Sequence, residues 1–385
     1  MTEAVGESVT VAADILHQLV SDIFAAAGCS FAEAGRIGHY LTKSNLSGHE
    51  SHGVLRVPRY LHWLTEGHVV RDRNITIVSE NDVLAVVDGN FGFGQTVGPQ
   101  AVRLGIDKAA GNGLSLIALR NSGHLGRIGD WGEMAAAAGL ISIHFVNTSG
   151  LGLLVAPFGG TERRLSTNPV CIAIPSDGEE PIVLDFATSI VAEGKVMNAL
   201  SGGAPLPPGA LVDYDGTLST DPVLIYGEID NLQPLDRRGG SGAIRAMGEH
   251  KGSGLAFMCE ILAGALTGSG CSKPGIDRLA NGMLSIYVAP DFLAGGGGFS
   301  AELREYVEFF RSSRPVEAGG GVLCPGDAEA GNRARRLADG VPLPLATWRA
   351  ILESAGDVGL PGDKIETARA AADTLPPSSK QGKET

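Results

Sequence analysis

Hydrophobic positions along this chain fall into two regimes. Between residues 10 and 70 they recur every three or four positions, the spacing of one helix face. In VAADILHQLVSDIFAAAG, Ile15, Leu19 and Ile23 share a face and Gly28 closes the helix. Ser30-Phe-Ala-Glu33 follows as a capping-box signature and opens a second helix through about Leu46. A third helix is expected to carry His52 to Trp63.

From residue 83 short apolar runs alternate with glycine turns and helical stretches. VLAVVDG (83–89), LSLIALRN (114–121), ISIHFVNTS (141–149), PVCIAIPS (169–176) and PIVLDFATS (181–189) read as strands. Helices are expected after Gly98 to Ala110, in GDWGEMAAAAGL, and across HKGSGLAFMCEILAGALTG (250–268). Three more lie in AELREYVEFFRSSRP, GDAEAGNRARRLADG and PLATWRAILESAG, before a frayed tail at 376–385. Strand, turn and helix in alternation give an α/β or α+β class.

The glycine motif Gly92-x-Gly94-x-x-x-Gly98 follows a strand and precedes a helix, but its spacing is not the dinucleotide fingerprint. Arg120 and Asn121 also stand where that fingerprint expects an acidic residue. A structural β–α turn is the better reading.

Composition narrows the function. The net charge of −13 disfavours nucleic acid, which needs a basic face, and anionic membranes. Local cations can still dominate a small pocket. Cys29, Cys171, Cys259, Cys271 and Cys324 are scattered without a CxxC pair, which suits reduced thiols in a cytoplasm. No apolar run reaches membrane-spanning length, and the N-terminus lacks a signal-peptide pattern.

Candidate chemistry concentrates in GHESHGVLRVPRY (48–60). If this segment is helical, His52, Arg56 and Tyr60 share one face. An imidazole can give or take a proton near neutrality, and a guanidinium forks onto a carboxylate. Ser51 could orient that proton. A metal reading through His49, His52 and His124 lacks a zinc spacing. A second centre is Asn121-Ser-Gly-His-Leu-Gly-Arg127 at a strand end, with His124 as a second acid/base candidate and Arg127 as a second cation. Hydroxyl, amide and backbone donors in Pro157-Phe-Gly-Gly160 and Ser166-Thr-Asn-Pro169 suit phosphate and ribose. Asp185 is a lone carboxylate at the end of an apolar strand, and Glu249-His-Lys-Gly252 opens a helix with a cation at its positive end.

Taken in order, SHGVLRVPRY, NSGHLGRIG, VAPFGGTERRLSTNP, LDFATS, AEGKV, DYDGTLSTDP and GEHKGSGLAFMCEILAGALTG resemble the malate/L-lactate dehydrogenase family of the second, non-Rossmann type. That family includes ureidoglycolate dehydrogenase, sulfolactate dehydrogenase and piperideine-2-carboxylate reductase. The resemblance implies NAD- or NADP-dependent interconversion of a small 2-oxo acid and 2-hydroxy acid, or reduction of a cyclic imino acid. It implies a non-Rossmann cofactor domain with a largely antiparallel or mixed sheet, a helical domain formed by the two chain ends, and a homodimer. The corresponding boundaries are 1–115, 116–300, 301–375 and the tail. His52 matches a catalytic acid/base with Ser51 and Asp185 as its relay, and His124 matches a residue beside nicotinamide and substrate. Arg56 and Tyr60 match substrate contacts, with Arg127 added. Thr167, Asn168, Lys195, His250, Lys251 and Gly252 match cofactor contacts, and Gly126, Ser149, Pro169, His124 and Asp185 join them as candidates. The chain departs from the pattern at Leu125, Arg127 and the glycine-rich DFLAGGGGFS.

Overall fold

The computed structural model describes residues 8–150, 152–200, 204–227, 239–294, 298–317 and 319–373. Three of the glycines of DFLAGGGGFS, at 295–297, and the tail at 376–385 lie outside the described residues. The chain divides into two compact units, Met1–Gly67 with Glu329–Thr385, and His68–Ala328.

The first unit is the helical domain made from both chain ends. Helix Ala13–Ala26 buries Leu16, Leu19, Val20, Ile23 and Phe24 along one stripe. Helix Phe31–Leu46 starts where expected, because the Ser30 hydroxyl accepts the Glu33 amide at 3.3 Å. The two ends are joined by a short antiparallel pair, Ser8–Val11 with Val341–Pro344, which the helical spacing of residues 10–28 conceals. Helices Leu345–Asp357 and Gly362–Asp373 complete the unit.

The second unit is built on a seven-stranded sheet in the order Thr76–Glu80, Leu84–Asp88, Leu114–Ser122, Ala280–Val288, Ile141–Ser149, Val170–Ile174, Ile182–Phe186. Only Leu84–Asp88 against Leu114–Ser122 is parallel; every other pair is antiparallel. This is the expected mixed, non-Rossmann sheet. The unit boundaries fall at 67/68 and 328/329, earlier and later than the 115/116 and 300/301 of the sequence reading. The reason is strand pairing: Thr76–Glu80 and Leu84–Asp88 hydrogen-bond into the sheet and so belong with it.

Helix Gly94–Asn112 crosses between the parallel pair of this sheet. Its glycines serve packing. A Cβ on Gly94 would stand 2.2 Å from the His124 carbonyl oxygen, and one on Gly98 2.8 Å from the Trp131 ring. A smaller four-stranded sheet comprises Leu218–Ser219, Leu211–Val212, Ala243–Arg245 and Val155–Ala156. These strands are too short to show a period in the sequence. No disulfide joins the five cysteines, and among the described residues no helix is long and apolar enough to cross a membrane.

Candidate functional site

The segment expected to run as one helix from His52 to Trp63 is broken. Glu50–His52 and Val54–Arg56 are separate 3₁₀ turns, and the α-helix spans Val57–Thr65. Gly53 between the turns is extended at φ −90°, ψ −153°, so His52 does not stand at helical spacing from Arg56 and Tyr60. The break has a cause two turns upstream. The Asn45 carboxamide accepts the Val54 amide at 2.7 Å, and a Cβ on Gly53 would lie 2.0 Å from that same oxygen. Asn45 therefore acts as the cap of the turn that follows His52, a position that only glycine leaves room for.

Other contacts fix this turn. Arg56, 7% exposed, donates from Nε to the Ser51 carbonyl at 2.6 Å, which ties the 3₁₀ turn carrying His52 to the next one. Tyr60 is 1% exposed, with its ring stacked on Trp63 at 5.6 Å and edge-on to Phe24 at 6.4 Å. Its ring is thus part of the core. From the C-terminal part of the same unit, helix Asp327–Asp339 reaches back to the segment. Glu329 pairs with His49 at 3.0 Å, Arg336 pairs with Glu50 at 2.7 Å and donates to the Asn45 carbonyl, and Arg333 reaches the Ser47 hydroxyl at 3.4 Å.

In the second unit His124 follows the strand Leu114–Ser122 and is partly exposed. Both polar atoms of the peptide that follows it are held. Gln95 donates to the His124 carbonyl at 3.3 Å, and Asn281 accepts the Leu125 amide at 2.8 Å. Gly126 then turns the chain at φ +73°, where a side chain would be strained.

Arg127, 2% exposed, points into an acidic cluster, pairing through Nη1 with Asp130 at 3.1 Å and with Glu133 at 2.9 Å. Burial works against its charge, but Asp130, Glu133 and Asp185 outweigh burial and hold its pKa above the ordinary arginine value. Asp185 itself accepts the Gly129 amide at 2.7 Å. This arrangement orders the loop around Asp185, and the carboxylates of this chain already match the guanidinium's charge.

Two of the cofactor candidates, Thr167 and Gly252, are linked through the backbone. The Thr188 amide donates to the Thr167 carbonyl at 2.9 Å, the Met247 amide to the Thr188 carbonyl at 2.9 Å, and the Gly252 amide to the Met247 carbonyl at 3.0 Å. A Cβ on Gly252 would sit 2.2 Å from the Met247 oxygen, so the close approach requires glycine. Thr167 and Pro169 are partly exposed, whereas Asn168 is fully buried. Ser149 is also buried and turns its hydroxyl inward to the Ala280 carbonyl at 3.2 Å. Lys195, His250 and Lys251 are exposed, and the His250 ring lies 5.9 Å from Phe158. The ammonium groups of Lys195 and Lys251, the His250 imidazole and the Thr167 hydroxyl are of the donor types that a dinucleotide's diphosphate and ribose oxygens accept. Among the described residues, no cluster of three or more His, Cys, Asp or Glu could hold a metal ion.

The sequence reading missed the buried polar residues behind these loops: Gln95, Asn147, Glu260 and Asn281, none more than 5% exposed. One signal was available. Glu260 is a single charge inside the apolar run FMCEILAGALTG, and such a residue is costly to bury without partners.

Known proteins agree with this architecture. The chain is 36% identical over 359 residues to hydroxycarboxylate dehydrogenase B of Escherichia coli strain K12, covering 92% of this chain and 96% of that protein. A solved Escherichia coli structure presented as a malate/lactate dehydrogenase superposes with a TM-score of 0.87 at 35% identity, over 95% of this chain and 99% of that one. The Δ1-piperideine-2-carboxylate reductase of Pseudomonas syringae pvar. tomato superposes with a TM-score of 0.74 at 31% identity, over 90% and 99%. Residues 11–352 match the family described as malate/L-lactate dehydrogenase, and the chain belongs to that family.

Proposed function

We propose that the protein is an NAD- or NADP-dependent oxidoreductase that interconverts a small 2-oxo acid and its 2-hydroxy acid. The observation that carries this reading is the Ser51–His52 turn, held by Arg56 and Asn45, in a chain that matches the family from residue 11 to 352. The nicotinamide supplies hydride when bound. His52 then gives or takes the proton of the substrate oxygen, and Arg56 orients the turn and meets the substrate carboxylate. Thr167, Lys195, His250, Lys251 and the close turn at Gly252 hold the dinucleotide. His124, partly exposed and with the peptide that follows it held, is the second proton candidate. Arg127 keeps Asp185 in place through the acidic cluster and leaves substrate binding to Arg56.

A cyclic imino acid is the second substrate class, favoured by the likeness to the piperideine-2-carboxylate reductase. The assembly is proposed to be a homodimer. Phe257, Met258, Ile261 and Leu266, each at least 41% exposed on one continuous helical stretch, support it. Cysteines without disulfides suit a reducing cytoplasm.

The test combines cofactor titration with turnover. NADH and NADPH fluorescence titrations identify the cofactor, and a panel of 2-oxo and cyclic imino acids identifies the substrate class. His52→Ala is expected to lower kcat about 10²- to 10⁴-fold with cofactor affinity retained. If His52→Ala keeps kcat while His124→Ala loses it, the proton role moves to His124. Failure of both cofactors to bind would end the reading.

A further inference from the structure

Glu260 is 5% exposed, at the point where the helix His250–Cys259 passes into a π-helical turn, Glu260–Ala265. Such turns recur at functional sites. Its carboxylate is taken up by neutral donors. Oε1 accepts from Asn168 Nδ2 at 2.9 Å and from the Ser272 hydroxyl at 2.9 Å. Oε2 accepts from the Ser272 amide at 2.9 Å and from Asn147 Nδ2 at 3.2 Å. One side chain thus joins the strand Ile141–Ser149, loop 166–169 and the turn at 270–272.

Asn168 is the contact that matters for function. It is fully buried with φ +26°, a conformation that asparagine tolerates better than most residues. Its amide also donates to the Ala256 carbonyl at 3.1 Å, so its side chain is engaged inside the protein. Of loop 166–169, Thr167 and Pro169 are partly exposed and Thr167 carries the one polar side chain of the two; its direction follows from how Asn168 is held.

We propose that Glu260 is a positioning residue for the cofactor: by anchoring Asn168 it sets the loop that presents Thr167. The proposal rests on the reading of that loop as a cofactor contact.

The hydrogen-bond pattern makes a selective variant available. In Glu260→Gln the amide nitrogen must replace one oxygen. At the Oε2 position it would oppose two N–H donors. At the Oε1 position it opposes only Asn168, because the Ser272 hydroxyl has a second acceptor in the Thr148 carbonyl at 2.7 Å. The glutamine therefore keeps Asn147 and the Ser272 amide and loses its bond to Asn168, whose side chain retains the Ala256 carbonyl and the Thr148 amide. The control, Ser272→Ala, removes a hydroxyl from the same carboxylate and leaves Asn168 anchored.

Binding is read by fluorescence titration of the full-length protein with NADH or NADPH, whichever the wild type holds more tightly, beside a thermal melt of each variant. Glu260→Gln is expected to raise the cofactor Kd about tenfold, with kcat at saturating cofactor close to wild type and Ser272→Ala leaving Kd unchanged. Should Glu260→Gln fail to fold, Asn168→Gly deletes the same bond, keeps the positive φ, and is expected to raise Kd equally. A folded Glu260→Gln with a lowered Tm and an unchanged Kd would overturn the proposal and reduce Glu260 to core polarity. A wild type that binds neither cofactor would overturn the underlying reading of the loop, and the proposal with it.

Discussion

The two histidine-bearing segments are held by opposite means. Around His52 the fastening is backbone capping plus ion pairs with water access: His49 and Glu329 are 26% and 22% exposed, and Glu50 is 43% exposed. Around His124 and Asp185 it is dry. The side chains of Arg127 and Asp130 are 1% and 2% exposed, and His144, on the adjoining sheet, is fully buried between the Ser142 and Ser285 hydroxyls at 3.0 and 2.8 Å. A pair that water can screen gives little and tolerates loss. A dry cluster gives order but turns costly when one member is removed.

The largest effect that would test this contrast is Arg127→Met. It leaves Asp130 and Glu133 facing each other without a cation, and a loss of about 3–5 kcal/mol is expected in urea unfolding. Next is His144. Burial lowers its pKa from 6.5 to about 3, so the folded protein keeps it neutral while the unfolded chain protonates it below about 6.5. Between those values the unfolded state binds more protons, and stability falls as pH falls, by about 1.4 kcal/mol per pH unit at most. His144→Gln is expected to flatten that slope. The smallest effect belongs to Glu329→Gln, which removes the partner of His49 and is expected to cost about 0.2–1 kcal/mol, less at high salt. If Glu329→Gln cost as much as Arg127→Met, the distinction between wet and dry fastening would fail.

The sequence was most legible where one element obeys one period. The helix Phe31–Leu46 and its Ser30 cap, and the strands Leu114–Ser122 and Ile141–Ser149, stand where apolar spacing and turn residues put them. The turn carrying His52 was not legible, because a distant side chain decides it: Asn45 competes for the Val54 amide and stops the helix from starting at Gly53. The short strands Leu211–Val212 and Ala243–Arg245 escaped because two or three residues cannot display an alternation. The candidate chemistry was visible as residue types, whereas the buried amides behind it were not. Asn147 and Asn281 are read correctly only when the donors and acceptors they serve are known, as with the Gly282 amide and the Asn147 carbonyl.

The pairing of Ser8–Val11 with Val341–Pro344 has a consequence for biosynthesis. The first strand leaves the ribosome long before its partner is made, whereas every strand of the seven-stranded sheet is complete once Val288 is out. The inserted unit can finish folding during translation while the amino-terminal helices wait for the end of the chain. Nascent chains halted before Val341 should therefore leave that first strand's backbone donors and acceptors open to other chains.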